Sequence, residues 1–189
     1  MVVKSARFNT ICDVIYKCLK SRAEIKVSYK ACKHIWLKHG CYENAKFYFA
    51  SRQGKGRMPS HYFDHCTLIQ AIVETLDSPH VTKWRPLKCS QKCDGAANPF
   101  AFNKSLGRLL YLKEFLFPIG RAGLITPNSQ NGKELSCCGV VVDVHKGLVT
   151  SYPAESFNDF KDHSGSPRNT RGKTISGTES EMPPVSKLR

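Results

Sequence analysis

His61 and His65 stand four residues apart, and after 23 intervening residues Cys89 and Cys93 repeat that interval in "KCSQKC". Imidazole and thiolate are the usual ligands of structural zinc, which takes four of them in a tetrahedron. Histidines four apart on one helical face can share an ion, and a loop carrying two thiols can fold onto it. Lys88 and Lys92 beside the sulfurs favour the thiolate form. The four residues are therefore a candidate structural zinc site, with Cys66 and His80 as spare ligands. The competing reading is four ordinary buried or surface side chains.

A denser group, "CKHIWLKHGC" at 32–41, holds Cys32, His34, His39 and Cys41. In a helix over 29–39, Cys32 and His39 lie about 10.5 Å apart along the axis, and His34 points about 200° away from Cys32. Two ligands of one zinc lie within about 4.6 Å of each other. The group cannot share a metal while that helix stands. Cys137 and Cys138, adjacent on a strand, point to opposite faces and do not chelate.

The helix over 29–39 carries a second pattern. Tyr29, Cys32, Ile35, Trp36 and His39 form an apolar face, with Lys26, Lys30, Lys33, His34 and Lys38 opposite. No acid falls within 26–42 to offset the lysines. With Lys17, Lys20 and Arg22 before it, and Arg52, Lys55 and Arg57 in the loop "RQGKGRMPS", this reads as a surface that follows phosphates. Gly54 and Gly56 let the main chain approach a phosphate. "GKGR" is too short for a Walker loop. A solvated helix face without a ligand is the competing reading. No nucleophile elbow, carboxylate pair or dinucleotide loop is present, so no enzyme is expected.

The charge distribution points the same way. Residues 1–60 hold 13 Lys/Arg against three acids, residues 61–150 ten against seven, and residues 151–189 six against five, within a total of +14. Such asymmetry favours a polyanion for the first third, nucleic acid or an anionic membrane surface. No apolar run reaches the ~18 residues of a membrane span, and the start of the chain lacks a signal peptide's apolar run. Nine cysteines, an odd number, are expected as reduced thiols in cytoplasm or nucleus, not in a secreted protein.

The elements that must hold these residues follow from periodicity and caps. Helices are expected at about 10–21 (Thr10 and Asp13 as capping box), 29–39 (Ser28 cap, Gly40 stop), 42–52, 64–78 (Asp64 cap, Pro79 stop) and 104–117. Residues 80–102 read as irregular. "ELSCCGVVVDV" and "LVTSY" read as a β-hairpin around "HKG", with Gly147 in the left-handed conformation. The fold class is then α+β and mostly helical, with about five helices and a C-terminal hairpin over 1–152. A disordered polar tail over 153–189 follows.

Two family resemblances arise from these segments. "HYFDHC…AIVETLDSPH…CSQKC…KSLGRLLYL" looks like the zinc-binding and elongin-recruiting region of lentiviral virion infectivity factors. Ser105 and Leu106 match the opening of that family's docking helix, although Leu110 stands where a small residue is usual. This resemblance implies an adaptor that engages a host ubiquitin ligase through helix 105–117, by Ser105, Leu106, Leu109 and Leu110. As a whole the chain is similar to the small, basic, cysteine-rich silencing suppressors of plant RNA viruses of the closterovirus type. That resemblance implies binding of double-stranded RNA, and makes RNA the first expected partner and a host protein the second.

Overall fold

The computed structural model describes residues 6–52, 58–86, 107–123 and 132–157. It holds four helices, α1 (Ala6–Arg22), α2 (Tyr29–His39), α3 (Tyr42–Ser51) and α4 (His65–Asp77). Seven strands are β1 (His61–Tyr62), β2 (Val81–Pro86), β3 (Gly107–Glu114), β4 (Gly120–Arg121), β5 (Glu134–Leu135), β6 (Cys137–Asp143) and β7 (Gly147–Ala154). The larger sheet is antiparallel in the order β2-β3-β6-β7, and a small one runs β1-β4-β5.

The expectation of a mostly helical fold with about five helices is overturned. Of the expected helix at 104–117, Gly107–Glu114 form β3, paired with β2 from Val81↔Leu112 to Pro86↔Gly107 and with β6 from Arg108↔Asp143 to Glu114↔Cys137. The physical reason is burial on both faces. Leu109 and Tyr111 pack toward the helices, while Leu110 and Leu112 join a second cluster with Val141 and Tyr152 on the other face. A strand buried on both sides shows an unbroken apolar run, which periodicity cannot separate from a helix. β2, inside the stretch read as irregular, is the edge strand beside it.

The N-terminal helices follow their local signals more closely. The Ser28 side chain accepts from Ala31 N at 3.2 Å, and α2 spans Tyr29–His39 as expected. Asp64 caps α4 by accepting from Thr67 N at 2.7 Å. α1 starts earlier than its expected cap: Thr10 lies within the helix and its hydroxyl donates to Ala6 O at 2.9 Å. Gly40 ends α2 with right-handed backbone (φ −70°), so its value is steric: an added Cβ would lie 2.0 Å from Trp36 Cε3. Asn44 Nδ2 donates to Trp36 O at 3.0 Å, which holds α3 back against α2.

The main core lies between helices and sheet. α1 contributes Cys12, Ile15 and Leu19, α2 Cys32, Ile35 and Trp36, and α4 Leu68 and Ile72, against Val140, Val142 and Leu148 of the sheet. α2 packs on β7, and α4 packs on β6 and β3. Cys138 and Cys137 fall in opposite clusters, as alternation requires. Inside the core, Tyr62 Oη lies 2.6 Å from Ser151 Oγ and 3.3 Å from Cys138 Sγ, a buried polar knot that ties β1 to β6 and β7.

The expected hairpin is β6–β7. Asp143 organises its turn by accepting from His145 N and Lys146 N, each at 3.1 Å, and Gly147 has φ +77°. Leu148 N donates to Lys26 O at 2.8 Å, so the turn is fastened to the segment leading into α2. The strand runs on to Ala154, and the expected tail lies outside the described residues beyond Phe157. No helix among the described residues is long and apolar enough to cross a membrane.

Candidate nucleic-acid interface

The described helical segment 6–52 carries ten Lys/Arg and three acids. Among the described residues there are four ion pairs: Arg108–Asp143 (3.6 Å), Lys113–Glu74 (3.8 Å), Arg121–Glu134 (3.7 Å) and Lys133–Glu155. All four lie between residues 74 and 155, in the sheet half. Among the described residues the Lys and Arg side chains of 6–52 have no carboxylate at ion-pair distance, while the strands pair theirs with carboxylates of α4, the sheets and the end of β7.

The structure distributes the expected phosphate contacts as follows. Lys30, Lys33, His34 and Lys38 lie along one side of α2, with Lys38 half-buried and the others exposed. A stripe of this spacing runs about 12 Å. Lys33 stands beside the seam with α1, close enough for its charge to act on the Cys12 thiol. Lys17 and Lys20 are exposed on α1. Lys26 precedes the Ser28 cap and sits at the β6–β7 turn instead of on the α2 stripe. Arg52, just beyond α3, joins Lys38. Lys55 and Arg57 lie outside the described residues.

Aromatic rings accompany these cations. Lys20 Nζ lies 5.6 Å from the Tyr16 ring centroid, Lys46 Nζ 5.8 Å from Tyr42, and Arg52 Cζ 5.1 Å from Tyr48. In each case the cation follows the tyrosine by four residues, on one helix for Lys20 and Lys46 and at the C-cap of α3 for Arg52, so the ring lies beside it one turn back. This repeated Tyr-x3-Lys/Arg spacing is plain in the sequence, yet charge counting alone passes over it. Lys38 also reaches Tyr48, at 5.8 Å, across the α2–α3 hairpin, and that contact has no sequence signal.

The expected zinc set is only partly within view. His61 is buried on β1 with its ring edge-on to Tyr42, centroids 5.7 Å apart, whereas His65 opens α4 and packs edge-on to Trp36 at 6.1 Å. The two imidazoles thus turn to different aromatic partners. Cys89 and Cys93 lie outside the described residues, and no group of three or more His, Cys, Asp or Glu among the described residues is placed to hold a metal. The "CKHIWLKHGC" ligands are dispersed, as the helix requires: Cys32 is in the core and His34 is exposed. His39 Nδ1 donates to Ser60 O at 2.6 Å. Burial pushes the Cys12 thiol up to about 11 and the Cys32 thiol up to about 12, so both stay protonated and unreactive.

The docking residues of the adaptor reading also change place. Leu109 and Leu110 are buried on opposite faces of β3, so neither is available to a partner, and Ser105 and Leu106 lie outside the described residues. From Gly107 to Glu114 the expected docking helix is a strand.

Burial lowers the pKa of His61, reinforced by Arg121 and opposed by a hydrogen bond to the Pro59 backbone and by Glu43. The unfolded imidazole takes up its proton near pH 6.5, before the folded one does. The stability this residue contributes is therefore complete above about pH 6.5 and declines as pH falls below it. Urea unfolding at about pH 7.5 and about pH 5.5 is expected to show a smaller acid loss in His61→Leu than in the unaltered protein. An equal loss in both would remove His61 from the account.

No family model, curated protein or solved structure matches the chain.

Proposed function

We propose that this is a non-catalytic RNA-binding protein that grips the phosphate backbone with its helical third. One observation carries the reading: the ion pairs of the described residues all fall between residues 74 and 155, while the ten cations on residues 6–52 have none among the described residues. Unpaired like charges destabilise a compact state, and a polyanion offsets that cost. Exposed lysines set along a helix contact phosphates and read little sequence. The tyrosines beside Lys20, Lys46 and Arg52 add ring surface on which unpaired bases can stack. The resemblance to small basic silencing suppressors extends the proposal: sequence-tolerant binding of duplex RNA would shield it from nucleases in the host.

Binding to fluorescent duplex RNA, duplex DNA and single-stranded RNA across a salt series tests this. The affinity for RNA is expected to fall linearly with salt on logarithmic axes, with a slope near −0.9 for each phosphate contacted on a duplex. Absence of binding at low salt, or a slope near zero, would refute it.

A further inference from the structure

Within this basic surface the cations converge at one place. Lys38 in the last turn of α2 and Arg52 beyond α3 both reach the Tyr48 ring, at 5.8 and 5.1 Å from its centroid. His34 lies one turn before Lys38 on the same helix. Partial desolvation, then Lys38, then Arg52 hold its imidazole below the usual range, and burial followed by Arg52 lowers the Lys38 ammonium as well. No carboxylate contributes to either group, and none forms an ion pair with His34, Lys38 or Arg52 among the described residues.

The convergence is built into the hairpin. Gly40 lets α2 end against the Trp36 ring, the Asn44 amide fastens α3 to Trp36 O, and Arg52 N donates to Phe49 O at 3.1 Å. These contacts fix the two helix ends, so Lys38 and Arg52 meet at Tyr48 despite their mutual repulsion. The ring face attracts both cations, and it draws them toward a common point.

A phosphodiester brings one negative charge to such a point. A phosphate monoester brings about 1.5 to 2 at neutral pH, with three strong acceptor oxygens. The ammonium, guanidinium and imidazole groups gathered here match the second better. We infer that His34, Lys38, Tyr48 and Arg52 form a receptor for the terminal phosphate monoester of an RNA strand, at the end of the α2 stripe whose Lys30 and Lys33 follow the internal phosphates. The inference rests on the RNA reading above and specifies which part of the RNA this corner takes.

The test compares one RNA sequence bearing a 5′-phosphate, a 3′-phosphate or hydroxyls at both ends, with inorganic phosphate as competitor. At least one phosphorylated form is expected to bind about tenfold more tightly than the hydroxyl form, the scale of an added charge-assisted contact. Inorganic phosphate should erase that advantage before it displaces the RNA. Lys38→Gln with Arg52→Gln should abolish the ratio between the forms, whereas Lys17→Gln with Lys20→Gln should weaken all three equally and keep the ratio. If all three RNAs bind alike in a salt-dependent manner, the receptor is wrong and the backbone reading survives. If none binds even at low salt, both fail. A ratio that persists in Lys38→Gln/Arg52→Gln places the receptor elsewhere and overturns the assignment. Should that variant not fold, the ratio and the phosphate competition in the unaltered protein still decide.

Discussion

Gly147→Ala is expected to lose about 3 kcal/mol of stability. About 1 to 2 kcal/mol comes from forcing an alanine into the left-handed conformation that Gly147 holds at φ +77°. The rest comes from space: a Cβ there would lie 1.9 Å from Lys26 O, the acceptor of the Leu148 N–H bond. Clearing that clash breaks a hydrogen bond worth about 1 kcal/mol. For a domain of this size the thermal midpoint should drop by roughly 6 to 12 °C. Gly147→Asn separates the two contributions, because asparagine tolerates the left-handed region but still carries a Cβ. It should recover part of the loss. Full recovery would mean that the close approach to Lys26 is unimportant, and no loss in Gly147→Ala would mean that the turn is not built this way.

Exchanging Lys30, Lys33 and Lys38 together for glutamine is expected to weaken RNA binding about a hundredfold at ~0.15 M salt and to flatten the logarithmic salt slope by about 2.7. Glutamine keeps nearly the helix propensity of lysine, and Lys30 and Lys33 are exposed, so α2 should persist. The slope is the informative quantity. A variant that binds less tightly with an unchanged slope has lost packing or folding, not phosphate contacts. An unchanged affinity and slope would remove this helix from the interface.

Local chemistry explains what the sequence discloses of this fold. α2 is legible because three independent signals agree: the Ser28 cap, the apolar face ending at His39, and the lysines opposite. The β6–β7 hairpin is legible through Gly147 and the valine run before it. The failure at β3 is instructive. Its leucines favour helices in isolation, but six register positions on β2 and seven on β6 outweigh that preference, and a partner strand cannot be seen from within the segment. The strands β1, β4 and β5 hold two residues each, too few for any period.

The same division applies to the candidate interface. Its charge, its lysine spacing and the Tyr-x3-Lys/Arg spacings, three of which make ring contacts, are local and readable. The meeting of Lys38 with Arg52 over Tyr48 depends on how α3 folds back against α2, which is set by Asn44 and Gly40. The separation of His61 from His65 likewise follows from which aromatic ring each finds, and neither ring is close to its histidine in sequence.

The fastening of the β6–β7 turn to Lys26, with α2 laid on β7, has a consequence during synthesis. The basic helices leave the ribosome before the sheet that covers them, which is completed about 5 to 20 s later at roughly 5–20 residues per second. Until then Phe8, Ile15, Leu19, Ile35 and Trp36 lack the sheet face that completes their burial. A nascent chain in this condition is both cationic and sticky, and messages and ribosomal RNA surround it. Its helices are therefore exposed to these polyanions before the sheet completes their core, and a chain interrupted before residue 147 cannot complete the fold.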